Sequence, residues 1–132
     1  MKVNDVLNVG IGITLKGLRM EDFQLFQSEF KKWQEKFGLT GWQVYFKKDL
    51  IDGCFADISF CHGLQVATVR LNDKLPDKDK PFRDIKKDAR HEALHLLLAR
   101  LEGNAKFRYA SENEITESIE ELVVKLEGLI SK

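Results

Sequence analysis

Residues 84–102 read DIKKDARHEALHLLLARLE, and the rest of the chain is best read outward from them. The apolar positions recur at helical spacing, so the sequence predicts a helix from about Phe82 to Leu101, ended by Gly103-Asn104. Leu94, Leu96, Leu97, Leu98 and Leu101 wrap most of its circumference, the pattern of a helix buried on more than one side. On such a helix His91 and His95, four residues apart, lie one above the other and present two imidazoles to one point. Glu92 is one step round, within reach of a water held there. Two histidines flanking a glutamate in this way are the arrangement zinc peptidases use, with the glutamate as general base.

Catalytic zinc usually keeps three protein ligands and one open position, so the motif is one ligand short. The long zincin pattern would place a glycine and a third histidine where this chain has Leu98 and Leu101, which excludes that subclass. His62 reads as a surface turn residue. The better source lies downstream, where Ser111 and Glu114 form a capping box for a last helix reaching Ile130. Its core stripe is Ile115, Ile119, Leu122, Val123, Leu126, Leu129 and Ile130, and Glu112, Glu114, Glu117, Glu120 and Glu121 supply the carboxylates. At 3.6 residues per turn Glu120 falls about 60° beyond Val123, at the border of the stripe with Val124 on its far side. An apolar flank on each side suits a carboxylate that turns inward. Glu120 is therefore the expected third ligand, with Glu117 and Glu121 as alternates.

Upstream, Phe23, Phe26, Phe30, Trp33 and Phe37 recur at spacings of three and four, predicting a helix from Glu21 with one aromatic core stripe, ended by Gly38 in the left-handed conformation. Three strand candidates follow: Trp42, Val44 and Phe46 alternate; Phe55–Phe60 is β-prone; and Gln65–Asp73 alternates again. Asp52-Gly53 and His62-Gly63 read as hairpin turns between them, so the expected sheet is a three-stranded antiparallel meander. Val9, Ile11, Ile13 and Leu15 add either a fourth strand or a leader over residues 1–20. Residues 72–83, with two prolines, form a surface loop into the motif helix.

At 132 residues the chain is most economically one domain, here 21–132, and its 43% apolar and 32% charged residues are those of an ordinary soluble protein. Basic and acidic residues balance at 21 each, so no global field draws in nucleic acid or a membrane surface. The basic residues before the motif, Lys74 to Lys87, are interleaved with aspartates and read as a solvated linker. Cys54 and Cys61 have no metal-ligand or disulfide-framework spacing. No signal peptide or membrane span is read, and the default location is the cytoplasm of a bacterium or of a phage-infected host cell.

HEALHLLLARLEG, followed by ESIEELVVKLEGLI, resembles the minimal metallopeptidases of phages and prophages, relatives of the zincins that take a glutamate as third ligand. The resemblance runs from about Gly38 to Ile130 and includes the Gly-Leu-x-x-Trp opening at Gly38–Trp42. More distantly, the chain is similar to the ImmA/IrrE regulatory peptidases, whose third ligand stands three residues before a small or apolar residue. Carried here, that position is Glu120, three before Val123, although Val124 stands where those peptidases tend to carry Asn. The resemblance implies an α+β zincin-like minimal domain that binds Zn2+ and hydrolyses a peptide or protein substrate laid along an edge strand, for which Gln65–Asn72 is the candidate nearest in sequence to the motif. Tyr109 is weighed as an oxyanion donor and left out of the catalytic set. The competing expectations are a non-proteolytic metal-binding module and a metal-free phage interaction or regulatory protein.

Overall fold

The computed structural model describes residues 19–130, so the expected leader or fourth strand at Val9–Leu15 lies outside the described residues. Helix α1 (Met20–Lys36) is followed by strands β1 (Gln43–Asp49), β2 (Ala56–Cys61) and β3 (Val66–Asn72), then by helices α2 (Ile85–Leu97), α3 (Ala99–Lys106) and α4 (Glu112–Ile130). The architecture is α+β, helices packed on one face of a small sheet. None of the described helices is long and apolar enough to cross a membrane.

The aromatic stripe of α1 is its buried face. Phe26 and Phe30 are fully buried, and both meet the Phe46 ring edge-on, at centroid distances of 6.3 and 5.4 Å. Gly38 adopts φ +69° directly after the helix, a conformation that costs glycine little. Val44 and Phe46 from β1, Ala67, Val69 and Leu71 from β3, and Ala56, Ile58 and Phe60 from β2 share the inner face through the strand registers. On the outer face Arg70 of β3 hydrogen-bonds Asp57 of β2 at 2.9 Å and Asp49 of β1 at 3.3 Å, clamping all three strands.

The sheet is mixed, which corrects the expected antiparallel meander. Its order is β1-β3-β2: β2 and β3 form the antiparallel hairpin, while β1 lies on the other side of β3 and parallel to it. The reason lies in residues 50–55. Asp52-Gly53 does turn, with Gly53 at φ +83°, but the segment also buries Ile51 and is tied across the end of β3 by Asn72. The Asn72 Nδ2 donates to the carbonyls of Ile51 at 2.7 Å and Cys54 at 2.8 Å, and its Oδ1 accepts from the backbone N–H of Ile51 and Lys74. The chain thus crosses over β3 instead of folding back on β1. Since β3 is now central, it has no free edge for a peptide; β2 is the edge strand that packs beside α2.

The motif helix also differs from expectation. Asp84 caps α2, its side chain accepting from the Lys87 N–H at 3.1 Å, and the helix runs to Leu97. At Leu98, with φ −90° and ψ 0°, the helix is interrupted, and α3 then runs on through Gly103-Asn104, which were expected to end the helix. Around this interruption Leu96, Leu97 and Ala99 are buried while Leu98 is exposed, as is Leu94. Gly103 serves close packing: a Cβ there would lie 3.0 Å from the His62 ring.

The capping box of α4 forms as expected, with Ser111 N–H donating to Glu114 Oε1 at 2.8 Å and Glu114 N–H to Ser111 Oγ at 3.1 Å. The buried stripe of α4 is narrower than its apolar residues allow. Leu122 and Ser118 are buried, whereas Ile119, Val123 and Leu126 are exposed. Leu122 and Leu129 pack α4 on the core, and polar contacts tie it to α3, through Asn104 to the Glu114 carbonyl and Ser118 Oγ, and through Arg100 to Glu117 and Glu121.

Candidate metal centre

The helical spacing of His91 and His95 does what it should. Their ring centroids are 5.0 Å apart with planes at 73°. Two imidazoles bound through nitrogen to one tetrahedral zinc, at Zn–N of about 2.0–2.1 Å, have centroids roughly 5 Å apart, so the pair fits a shared zinc. Both rings line a cleft of about 510 Å³ between α2 and residues 56–60 of the β2 edge. Two walls of different kinds meet here, a helix presenting two imidazoles and the edge strand of the described sheet.

Glu92 lines the same cleft and is only 5% exposed. Burial, with Asp57 and Asp88 nearby, pushes its carboxyl up to about 7. Asp57 is committed to Arg70, and Glu92 is the buried acid of this cleft.

His62 is the exposed turn residue that the sequence predicts, yet it also lines the cleft, as does Glu102, which sequence reasoning missed. His62 sits on the 3-10 turn His62–Leu64 that joins β2 to β3, closed by Gln65 in the left-handed conformation. Its ring packs beside Phe60 at 5.5 Å and Trp42 at 6.3 Å, and against Gly103 of α3. All three histidines of the chain therefore line one cleft. A turn position hides this in the sequence; the only available signal was that a chain with a histidine pair held one histidine more. Glu102 stands seven residues after His95, which returns to nearly the same side of a helix. Its carboxyl is held below the usual range by the 2.8 Å bond from Lys106, with His95 and His62 adding to the effect.

Glu120, the expected third ligand, is exposed on α4 and does not line the cleft. Glu117 and Glu121 are paired with Arg100 at 3.5 and 2.7 Å. Tyr109 is exposed in the connection before α4, its ring beside Phe107. Among the described residues no three His, Cys, Asp or Glu side chains are gathered closely enough to form a metal cage. The motif thus brings together His91, Glu92 and His95, and the structure adds His62 and Glu102 around them. Comparisons with protein-family models, with curated proteins and with solved structures find no match for this chain.

Proposed function

We propose that this protein is a zinc-dependent peptidase whose site is the cleft between α2 and the β2 edge. The observation that carries the reading is the coincidence of three things in one cleft: a histidine pair at the spacing for a shared zinc, a buried Glu92 beside it, and a strand edge that no other described strand pairs with. His91 and His95 would hold the ion with a carboxylate as third ligand, either Glu120, which the sequence favours, or Glu102, which already faces the cleft. Zinc there supplies an acidified water and a positive charge for a peptide carbonyl.

The chain's own groups account for the rest. Glu92, next to His91 and 5% exposed in the same cleft, would take a proton from the attacking water and deliver it to the leaving amine. The free edge of β2 would hold the substrate as an added strand, fixing its main chain by backbone hydrogen bonds and leaving selectivity to side-chain pockets. A phage or prophage setting accords with the motif pair in the sequence.

A second reading, an interaction protein without hydrolysis, is favoured by one observation: the apolar residues Ile119, Val123 and Leu126 of α4 are exposed along one side of the helix. Activity separates the two. Zinc-loaded protein should hydrolyse members of a quenched-fluorophore peptide library, and Glu92→Gln should keep its zinc and lose at least about a hundredfold in rate, the usual scale for general-base catalysis. No hydrolysis by a fully zinc-loaded wild type would favour the interaction reading, and equal rates for wild type and Glu92→Gln would remove Glu92 from the mechanism.

A further inference from the structure

The histidine cleft has a neighbour. A second cavity, of about 580 Å³, opens beyond His62, and His62 lines both. The His62 ring is the partition between them: its Cε1 and Nδ1 lie where a Cβ on Gly103 would come within 3.0 Å, so it stands against the α3 backbone.

The wall of the second cavity combines the rings of Trp42 and Phe107 with the neutral amides of Gln65 and Asn104 and one ion pair. Trp42 lines it, fixed edge-on to Phe60 at a centroid distance of 5.6 Å, and so does Phe107 at the end of α3, which is 60% exposed. The charged groups that line it, Arg100 and Glu121, are bonded to each other at 2.7 Å. A charged guest would lose hydration there and find its counter-charge already engaged. An aromatic or large aliphatic guest would bury its own surface together with that of Trp42 and Phe107.

Direction follows from β2, which runs from Ala56 towards His62. A peptide added antiparallel, the stronger of the two pairings, has its N-terminal part at the His62 end. We propose that the second cavity is a specificity pocket for a bulky apolar, above all aromatic, side chain on the N-terminal side of the cleaved bond, with Trp42 and Phe107 as its selecting residues. This rests on the peptidase reading above.

The test uses the zinc-loaded full chain and synthetic peptide libraries randomised on both sides of the cleaved bond, with cut sites read by mass spectrometry. Wild type should prefer Phe, Tyr, Trp or Leu over Asp, Lys or Ala by about tenfold in kcat/KM at one position N-terminal of the cut, the scale on which a hydrophobic pocket discriminates. Phe107→Ala, at an exposed position where zinc content and thermal melting should stay those of wild type, should reduce that preference to within about twofold, and Phe107→Leu should restore most of it. Hydrolysis with no preference on that side, a preference confined to the C-terminal side, or an unchanged preference in Phe107→Ala would each overturn the pocket and leave the peptidase reading standing. No hydrolysis by a wild type carrying one zinc per chain would overturn both.

Discussion

Replacing Asn72 by alanine should destabilise the protein by about 3 kcal/mol. The side chain is 1% exposed and makes four hydrogen bonds: two donated from Nδ2, at 2.7 and 2.8 Å, and two accepted by Oδ1, at 3.1 and 3.3 Å. Each such bond contributes about 1 kcal/mol net, and alanine leaves the backbone groups of residues 51–54 without those partners. The longest bond counts least, which gives about 3 kcal/mol in total. Against a typical total of about 5–15 kcal/mol the variant remains folded, so guanidinium unfolding followed by tryptophan fluorescence can measure it. Asn72→Asp makes the test specific. Aspartate keeps the two acceptances and replaces the donating nitrogen by an oxygen that faces the carbonyls of Ile51 and Cys54. It should therefore be at least as destabilising as alanine. A loss below about 1 kcal/mol in Asn72→Ala, or wild-type stability in Asn72→Asp, would refute the claim that this amide makes the chain cross over β3.

Three further outcomes are expected. Asp84→Ala removes the cap of the helix that carries the histidines and should lower stability by about 1 kcal/mol, read in the same unfolding assay. Gly103→Ala should leave stability nearly unchanged, because about 0.5–1 kcal/mol of helix preference offsets the crowding, yet it must displace the His62 ring, which a changed His62 proton shift in the NMR spectrum would report. For Asp88, burial raises the carboxyl to about 6; Asp84 adds to that, while Arg83, His91 and Lys87 act against it. Arg83 stands 3.9 Å away, too far for a hydrogen bond. A carboxyl raised above its unfolded value stabilises below about pH 4 and loses that contribution as pH rises through 6. With chelator present, wild type should accordingly lose up to about 3 kcal/mol relative to Asp88→Asn between pH 4 and 7, and parallel stability curves would contradict this.

Local order was legible in the sequence where one element carries its own signal. The aromatic spacing of Phe23 to Phe37 located α1 and its buried face, Gly38 located its end, and Ser111 with Glu114 located the start of α4. The strands were legible as segments but not in their order, because the deciding contacts join Asn72 to Ile51, 21 residues away, and Asp52-Gly53 looks the same in a hairpin as in a crossing loop. The interruption at Leu98 was hidden for want of any glycine or proline there. Beyond it α3 places Gly103 against His62 and Glu102 in the cleft. The histidine pair and Glu92 needed only helical periodicity to be placed together. Choosing among the carboxylates of α4 needed the face that α4 buries, which is a narrow one around Ser118 and Leu122 rather than the whole apolar stripe.

The central claim is a zinc site built on His91 and His95, and metal content tests it most directly. Protein purified without added metal, then equilibrated with zinc and desalted, should carry about one zinc per chain by elemental analysis, as one tetrahedral site requires. Glu92→Gln should retain the metal and His95→Ala should lose it, while whichever of Glu102→Gln and Glu120→Gln binds zinc more weakly identifies the third ligand. No zinc in wild type after equilibration, or wild-type content in His95→Ala, would contradict the account.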